Sequence, residues 1–290
     1  MAGSASMQDI KRRVRSVTSI EHITSAMKLV SAAKLRRAKK TFENMQEYFH
    51  FVTDSIDEIF NNVSGVESDY IRGSREVKTT CYVIVTSNRG LAGSFNSNII
   101  KLAEQEMQND PETPYIVAVG SRGKDYFERR SYNILSEYMS PPENVSFVET
   151  GAISKPIIDL YDEGKIDEVV LVYTSFISSL EQRPRTKTIL PFDVETGRDV
   201  LPITKQVEYE PSAEEVLNYL VPKYVEIMIY GAIVESATCE HAARRMAMEN
   251  ATDNANAMIE DLNLFYNRAR QAAITSEITE IISGSDAINN

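Results

Sequence analysis

The chain has 290 residues, 42% hydrophobic and 25% charged, a mixture that excludes a disordered protein and suits one or two domains with a real core. No run approaches the roughly 18 uninterrupted apolar residues of a membrane-spanning helix, and the first eight residues lack a signal peptide's apolar stretch, so the chain is expected to stay where it is made. The net charge of −11 hides a split: residues 1–40 carry ten Lys and Arg against Asp9 and Glu21, a net +8 that leaves −19 elsewhere and points to an acidic partner, nucleic acid or lipid headgroups.

No Pro or Gly occurs between Ser4 and Ser64, which predicts a first helix of about 55 residues and roughly 80 Å. Along it Ile10, Val14, Val17, Ile20, Ile23, Met27 and Val30 form one apolar stripe. Leu35, Ala38, Phe42, Met45, Phe49, Val52, Ile56, Ile59 and Val63 form a second, with alternating spacings of three and four. The phase slips by about one residue between them, so the partner surface is expected to wind around the helix. Basic Arg36, Arg37, Lys39 and Lys40 open the regular seam, and acidic Glu43, Glu47, Asp54, Asp57 and Glu58 follow.

The period then changes. Strands are predicted over 79–86, 115–119 and 168–173, helices over 95–108, 122–130 and 152–163, and an edge strand over 185–192. Apolar runs alternating with helices indicate a mostly parallel sheet covered on both faces, a small Rossmann-like α/β domain.

Ser212-Ala213-Glu214-Glu215 has the form of a capping box with Ser212 as N-cap. Leu217, Leu220, Tyr224, Ile227 and Met228 begin a helical stripe in which Pro222 predicts a kink. Ala242, Ala243, Ala247, Ala251, Ala255, Ala269, Ala272 and Ala273 are small enough to let two helix backbones approach, and Gly284 is a plausible stop. Two long helices at opposite ends of a chain cannot bury their seams alone. The predicted fold is therefore α+β with an α/β insert, a long antiparallel two-helix coiled coil of the N- and C-terminal helices plus the domain between them. Its boundaries are 1–64, 65–211 and 212–290.

Residues 87–96, Ser-Asn-Arg-Gly-Leu-Ala-Gly-Ser-Phe-Asn, follow a strand and open a helix, where a phosphate cradle would sit. They match neither GxGxxG nor GxxxxGK[ST] and read as a tight turn with a helix cap, as does Gly120-Ser121-Arg122-Gly123-Lys124. His22, His50 and His241 all fall on the long helices, away from any enclosed pocket. Glu277 and Glu280 lie one turn apart on an exposed helix end, and Cys81 and Cys239 form no CxxC pair and read as reduced structural thiols. No catalytic residue, cofactor or metal site is expected. A basic coiled-coil arm for nucleic acid is the alternative, with a scaffold protein carrying an α/β domain. The first 40 residues lack aromatics for base stacking, and −19 elsewhere would repel phosphate.

Several stretches, in order, resemble the gamma subunit of the bacterial-type F-type ATP synthase. Asp9-Ile10-Lys11-Arg12-Arg13 through Ile23-Thr24-Ser25-Ala26-Met27-Lys28-Leu29-Val30-Ser31-Ala32-Ala33-Lys34-Leu35 is similar to the family's opening helix. Residues 86–96 are similar to its Ser-Asp-Arg-Gly-Leu-Cys-Gly-Gly-Phe-Asn segment, with Asn88, Ala92 and Ser94 departing. Tyr209-Glu210-Pro211-Ser212, residues 240–248 and Ala251-Thr252-Asp253-Asn254-Ala255 also fit. The terminal signature is met at Ile274, Thr275, Glu277, Glu280 and Gly284, with Ser285 in place of its last Ala.

That resemblance implies a non-catalytic central-stalk rotor that couples ion-driven turning of the c-ring to ATP synthesis or hydrolysis on the beta subunits. Its implied partners are the alpha and beta subunits of the α3β3 ring, the epsilon subunit and the c-ring, with no nucleic acid and no cofactor. The implied location is peripheral, at the cytoplasmic face of the cell membrane, reached only through the c-ring. Met27, Lys28, Lys34, Arg36, Arg37, Arg268, Arg270, Gln271, Thr275 and Glu277 fall where the family meets the ring. Val207, Glu208, Tyr209 and Glu210 fall where it engages epsilon and c.

Overall fold

The computed structural model describes residues 7–62, 70, 77–108, 110–140, 145–192 and 212–289. In chain order these form α1 (Met7–Asn62), β1 (Thr80–Val85), α2 (Phe95–Met107), β2 (Tyr115–Val119), α3 (Ser121–Glu128), β3 (Asn133–Tyr138), α4 (Phe147–Asp162), β4 (Glu168–Phe176), β5 (Gln182–Leu190) and α5 (Ala213–Asn289). They divide into two units, Ser31–Arg244 on the one hand and Met1–Val30 with Arg245–Asn290 on the other.

The Ser31–Arg244 unit holds a five-stranded sheet in the order β3-β2-β1-β4-β5. The four central and left-hand strands are parallel and β5 is an antiparallel edge, with Cys81 of β1 opposite Tyr115 of β2 and Val169 of β4. The apolar runs in β1, β2 and β4 do not alternate because both sheet faces are covered. Cys81, Val83 and Val85 face a core built with Ile153, Ile157 and Tyr161 of α4 and Val221, Val225, Met228, Ile229 and Ile233 of α5. Tyr82 and Ile84 face the other core, with Ile99 and Ala103 of α2 and Phe127 of α3. Each such side chain removed from water contributes about 1.5–3 kcal/mol.

Two departures from expectation have local causes. Strand β3 was not foreseen, because Asn133-Ile-Leu-Ser-Glu-Tyr138 is half-exposed at the sheet margin and carries no continuous apolar run. Helix α4 begins five residues earlier than expected, at a complete capping box in which the Ser146 hydroxyl accepts from the Glu149 amide and the Glu149 carboxylate accepts from the Ser146 amide. Helix α5 opens with the Glu215 amide donating to Ser212 Oγ at 3.2 Å, runs on through Pro222, and continues past Gly284 to Asn289.

In this unit α1 buries Leu35 and Ala38 and packs Phe42, Met45, Phe49 and Val52 against the core. A Cβ on Gly231 would stand 3.3 Å from Met45 Cε and 3.7 Å from the Phe49 ring, so the two helix backbones lie close there. Phe42, earlier on α1, meets the ring of Phe176, whose amide is bonded to Glu235 later on α5. The order is reversed along the two helices, which therefore run antiparallel.

In the other unit α5 buries Met248, Thr252 and Ala255 and half-buries Ile259, Leu262, Tyr266 and Ala269, again at spacings of four and three. On α1 the inward positions are Ile10, Val14, Val17, Glu21, Thr24 and Lys28. Ile20, Ile23 and Val30 are 50%, 59% and 56% exposed, so the expected first stripe is corrected. The spacing from Ile10 through Lys28 continues into Ser31, Leu35 and Ala38 without a slip. Polar residues occupy several seam positions, and a purely apolar reading followed the neighbours instead. Ala272 and Ala273 are exposed and bring no helices together.

At the seam the Thr252 and Thr24 hydroxyls form a buried hydrogen bond of 2.8 Å. Thr252→Val alone is expected to cost about 1 kcal/mol, and the Thr24→Val/Thr252→Val double variant less than the sum of the two single losses, because both partners then leave together. Urea unfolding of the four proteins measures this coupling, and additive losses would contradict it.

Candidate functional site

In an open α/β sheet a ligand crevice forms beyond the strand ends where crossovers leave in opposite directions, here after β1 and β4. That place is filled by the protein itself. The Ser87 amide donates to Asn96 Oδ1 at 2.9 Å, and the Asn88 side-chain amide donates to the Met139 carbonyl at 2.8 Å while its Oδ1 accepts from the Ser121 amide at 2.9 Å. Thr86 Oγ1 accepts from the Gly123 amide at 2.9 Å. The Arg244 guanidinium on α5 donates to the carbonyls of Arg89 and Gly90 at 3.4 and 3.2 Å and, through its other nitrogen, to Glu240 at 2.6 Å. The groups that would hold a phosphate are already engaged, and residues 87–96 form the expected turn, although Ser94 makes no side-chain capping bond to α2.

The titratable groups inside this unit behave as core. Burial raises the Cys81 thiol and the Tyr173 hydroxyl each to about 12 and pushes Cys239 upward as well, so both free thiols stay protonated and unreactive. His22 on α1 lies 3.1 Å from Glu21, and His241 on α5 is buried. Among the described residues no group of three His, Cys, Asp or Glu is placed to hold a metal ion, and no helix is long and apolar enough to cross a membrane.

Glu235 is the exception with consequences for pH. Its Oε1 accepts from Ser175 Oγ at 2.9 Å and from the Phe176 amide at 2.8 Å, yet burial outweighs these bonds and the nearby Arg185 and Lys187, and raises its pKa above the ordinary 4.5. The folded chain therefore holds this proton to higher pH than the unfolded chain, so the contribution to stability is full below 4.5 and is lost as pH rises through the folded value. Glu235→Gln keeps an acceptor oxygen without the charge. It is expected to melt above the wild type at neutral pH, with the difference vanishing as pH falls toward 4.5, and thermal melts across that range check it.

The residues singled out for partner contact are on the long helices. Lys34, Arg36 and Arg37 are exposed on α1, whereas Met27 and Lys28 are half-buried. Arg268, Arg270, Gln271, Thr275 and Glu277 are exposed on α5, and Val207, Glu208, Tyr209 and Glu210 lie outside the described residues. Sequence reasoning placed Ile20, Ile23 and Val30 in the seam and Ile274 in the terminal signature, and read none of the apolar side chains beside the contact residues as contact surface. Ile274, Ile278, Ile281 and Ile282 on α5 are between 48% and 66% exposed, and Ile20, Ile23, Leu29 and Val30 on α1 are at least half exposed. Their spacing outside the seam was the available signal, since an apolar position that the paired helix cannot cover must meet something else.

Paired helices with exposed apolar and charged side chains, and an α/β unit whose switch-point crevice is filled by its own side chains, define a protein that works by contact. The family model for ATP synthase matches residues 6–288. The gamma chain of the ATP synthase of Alkaliphilus metalliredigens is 46% identical over 286 residues, covering 97% of this chain and 98% of that one. The sodium-ion-specific gamma chain of Acetobacterium woodii is 41% identical, covering 98% and 99%. Among solved structures, the central stalk and c-ring of the Tetrahymena thermophila mitochondrial ATP synthase aligns with a TM-score of 0.62 at 25% identity, covering 79% of this chain and 99% of that one. A chain of the Euglena gracilis enzyme aligns with a TM-score of 0.70 at 18% identity, covering 97% and 94%, a likeness of fold. The chain belongs to the ATP synthase gamma chain family. It is the central-stalk rotor subunit, non-catalytic itself, and its partners are the alpha, beta and epsilon subunits and the c-ring.

Proposed function

We propose that the rotor meets the α3β3 ring through Met27, Lys28, Lys34, Arg36 and Arg37 of α1 and Arg268, Arg270, Gln271, Thr275 and Glu277 of α5, and engages epsilon and the c-ring through Val207, Glu208, Tyr209 and Glu210. The observation that carries this reading is the exposed end of α5, where every side chain from Arg270 to Ile282 faces outward, four isoleucines among them. A bearing needs such a surface: apolar contact is non-directional and permits sliding, while exposed ion pairs of about 0–1 kcal/mol break readily as the shaft turns. A helix pair presents a different side chain in every direction, so identical partners around it experience different contacts and are biased toward different states. On this reading the chain divides into coiled-coil segments at 1–64 and 212–290 with a domain at 65–211, and the assembly sits at the cytoplasmic face of the membrane through the c-ring.

The Arg36→Glu/Arg37→Glu variant, assembled into the rotary complex, is expected to turn more slowly under ATP because an acidic partner surface now repels the shaft. Single-molecule rotation measures this, and wild-type torque and turnover would overturn the assignment of these two residues.

A further inference from the structure

A rotor must pass twist from its α/β domain into the long helix that runs beyond it. Apolar packing of α5 on the sheet supplies adhesion without direction, so by itself it permits the helix to roll or slide. Hydrogen bonds resist that motion because they fail when bent or stretched. Between Glu235 and Arg244 of α5 the structure places a run of them, all directed to backbone or strand-end groups at the C-terminal edge of the sheet. Glu235 Oε1 accepts from Ser175 Oγ at 2.9 Å and the Phe176 amide at 2.8 Å, and Ser236 Oγ accepts from the Thr174 amide at 3.2 Å. One turn on, Cys239 Sγ donates to the Thr174 carbonyl at 3.4 Å. Five residues further on, Arg244 donates to the carbonyls of Arg89 and Gly90, its orientation set by the buried Glu240.

We propose that these six bonds from Glu235, Ser236, Cys239 and Arg244 are the torsional joint of the rotor, which lock α5 against the ends of β4 and β1 so that a turn of the α/β domain becomes a turn of the shaft. Three features support the assignment. The bonds are spread along about two and a half turns of α5, from Glu235 to Arg244, they grip two different strand ends, and they use the switch-point crevice that related architectures leave open for a ligand. Ser236, Glu240 and Arg244 are buried and Thr174 is 4% exposed, so water does not compete for these partners. Glu235, Ser236 and Arg244 are positioning residues: they touch no nucleotide and act through the stiffness of the connection.

The test uses the whole rotary complex, with the α3β3 ring anchored and stalled by a non-hydrolysable nucleotide and a bead fixed to the α/β domain. Glu235→Ala/Ser236→Ala removes three of the six bonds, and because parallel links add their stiffness while joint and shaft yield in series, the joint's share of the bead's angular variance is expected to widen about twofold. Glu235→Gln, which retains the acceptor oxygen, is expected to keep the wild-type width. Ile99→Ala, a cavity in the opposite core between α2 and the sheet, lowers stability without touching α5 and is also expected to keep that width. A joint variant with wild-type variance overturns the proposal. So does an Ile99→Ala rotor that softens as much, which would show that general loosening of the domain sets the stiffness.

Discussion

Arg244→Ala is expected to lose about 3–5 kcal/mol of unfolding free energy, far more than any exposed charge in this chain. Glu240 and Arg244 are 6% and 9% exposed and 2.6 Å apart, and the guanidinium also satisfies the carbonyls of Arg89 and Gly90. Truncation removes the guanidinium that pairs with the buried Glu240 carboxylate and leaves two backbone acceptors in a site too closed for water to replace the fork. The magnitude comes from stranding Glu240, not from the attraction itself, because moving two charges out of water offsets most of what their pairing returns. Replacing both together, as Glu240→Leu/Arg244→Met, should therefore cost less than Arg244→Ala alone. Urea unfolding of the isolated subunit measures both. A single-variant loss of only about 0–1 kcal/mol, the range of solvated pairs, would show that the crevice is wet.

Gly120→Ala is the other large effect. Gly120 ends β2 and caps α3 with φ +92°, and its amide donates to the Tyr138 carbonyl at 2.9 Å. A Cβ there would stand 2.2 Å from the Thr86 carbonyl oxygen and 2.9 Å from Thr86 Oγ1. The obstacle is backbone at the end of β1, which no rotamer change relieves. Strain in a disallowed backbone region and displacement of a packed neighbour each cost about 1–3 kcal/mol, so a loss of roughly 3–5 kcal/mol is expected. Gly93→Ala is the internal control: φ is +57°, nothing lies within 4 Å, and only the backbone penalty of about 1–2 kcal/mol remains. Equal losses for the two alanines would mean that the close approach at Thr86 relaxes.

Much of this fold was legible from residue order alone. The stretch from Ser4 to Ser64 without Pro or Gly announces α1, and the largely apolar runs at 80–85, 115–119 and 168–173 announce strands buried on both faces. The edge strands were harder. β5 was foreseen late by three residues and β3 not at all, because one-sided burial weakens the pattern and packing by neighbours decides it. The contact residues were named from resemblance, and their exposure agrees with a role in contact for Lys34, Arg36, Arg37 and the α5 set. Ile274 was noted only as part of the terminal signature, and Ile278, Ile281 and Ile282 were not singled out, because an apolar residue on a helix reads first as seam.

The torsional joint was invisible in advance. Glu235, Ser236 and Cys239 belong to no motif, and although Arg244, Arg89 and Gly90 fall in stretches that resemble the family, the bonds among them and to Thr174 and Phe176 join segments far apart in the chain.

Periodicity, chain punctuation and family signature were thus enough to establish two seam-bearing helices around a parallel α/β domain, and the rotor role with them, since hydrophobic period and helix breakers act over a few residues. Which face of each helix turns inward, which polar residues the seam tolerates, and what closes the crevice above β1 and β4 were decided by tertiary packing. Those outcomes depend on pairing between segments more than a hundred residues apart, where burial and hydrogen-bond satisfaction are settled jointly and no local preference is strong enough to dictate them.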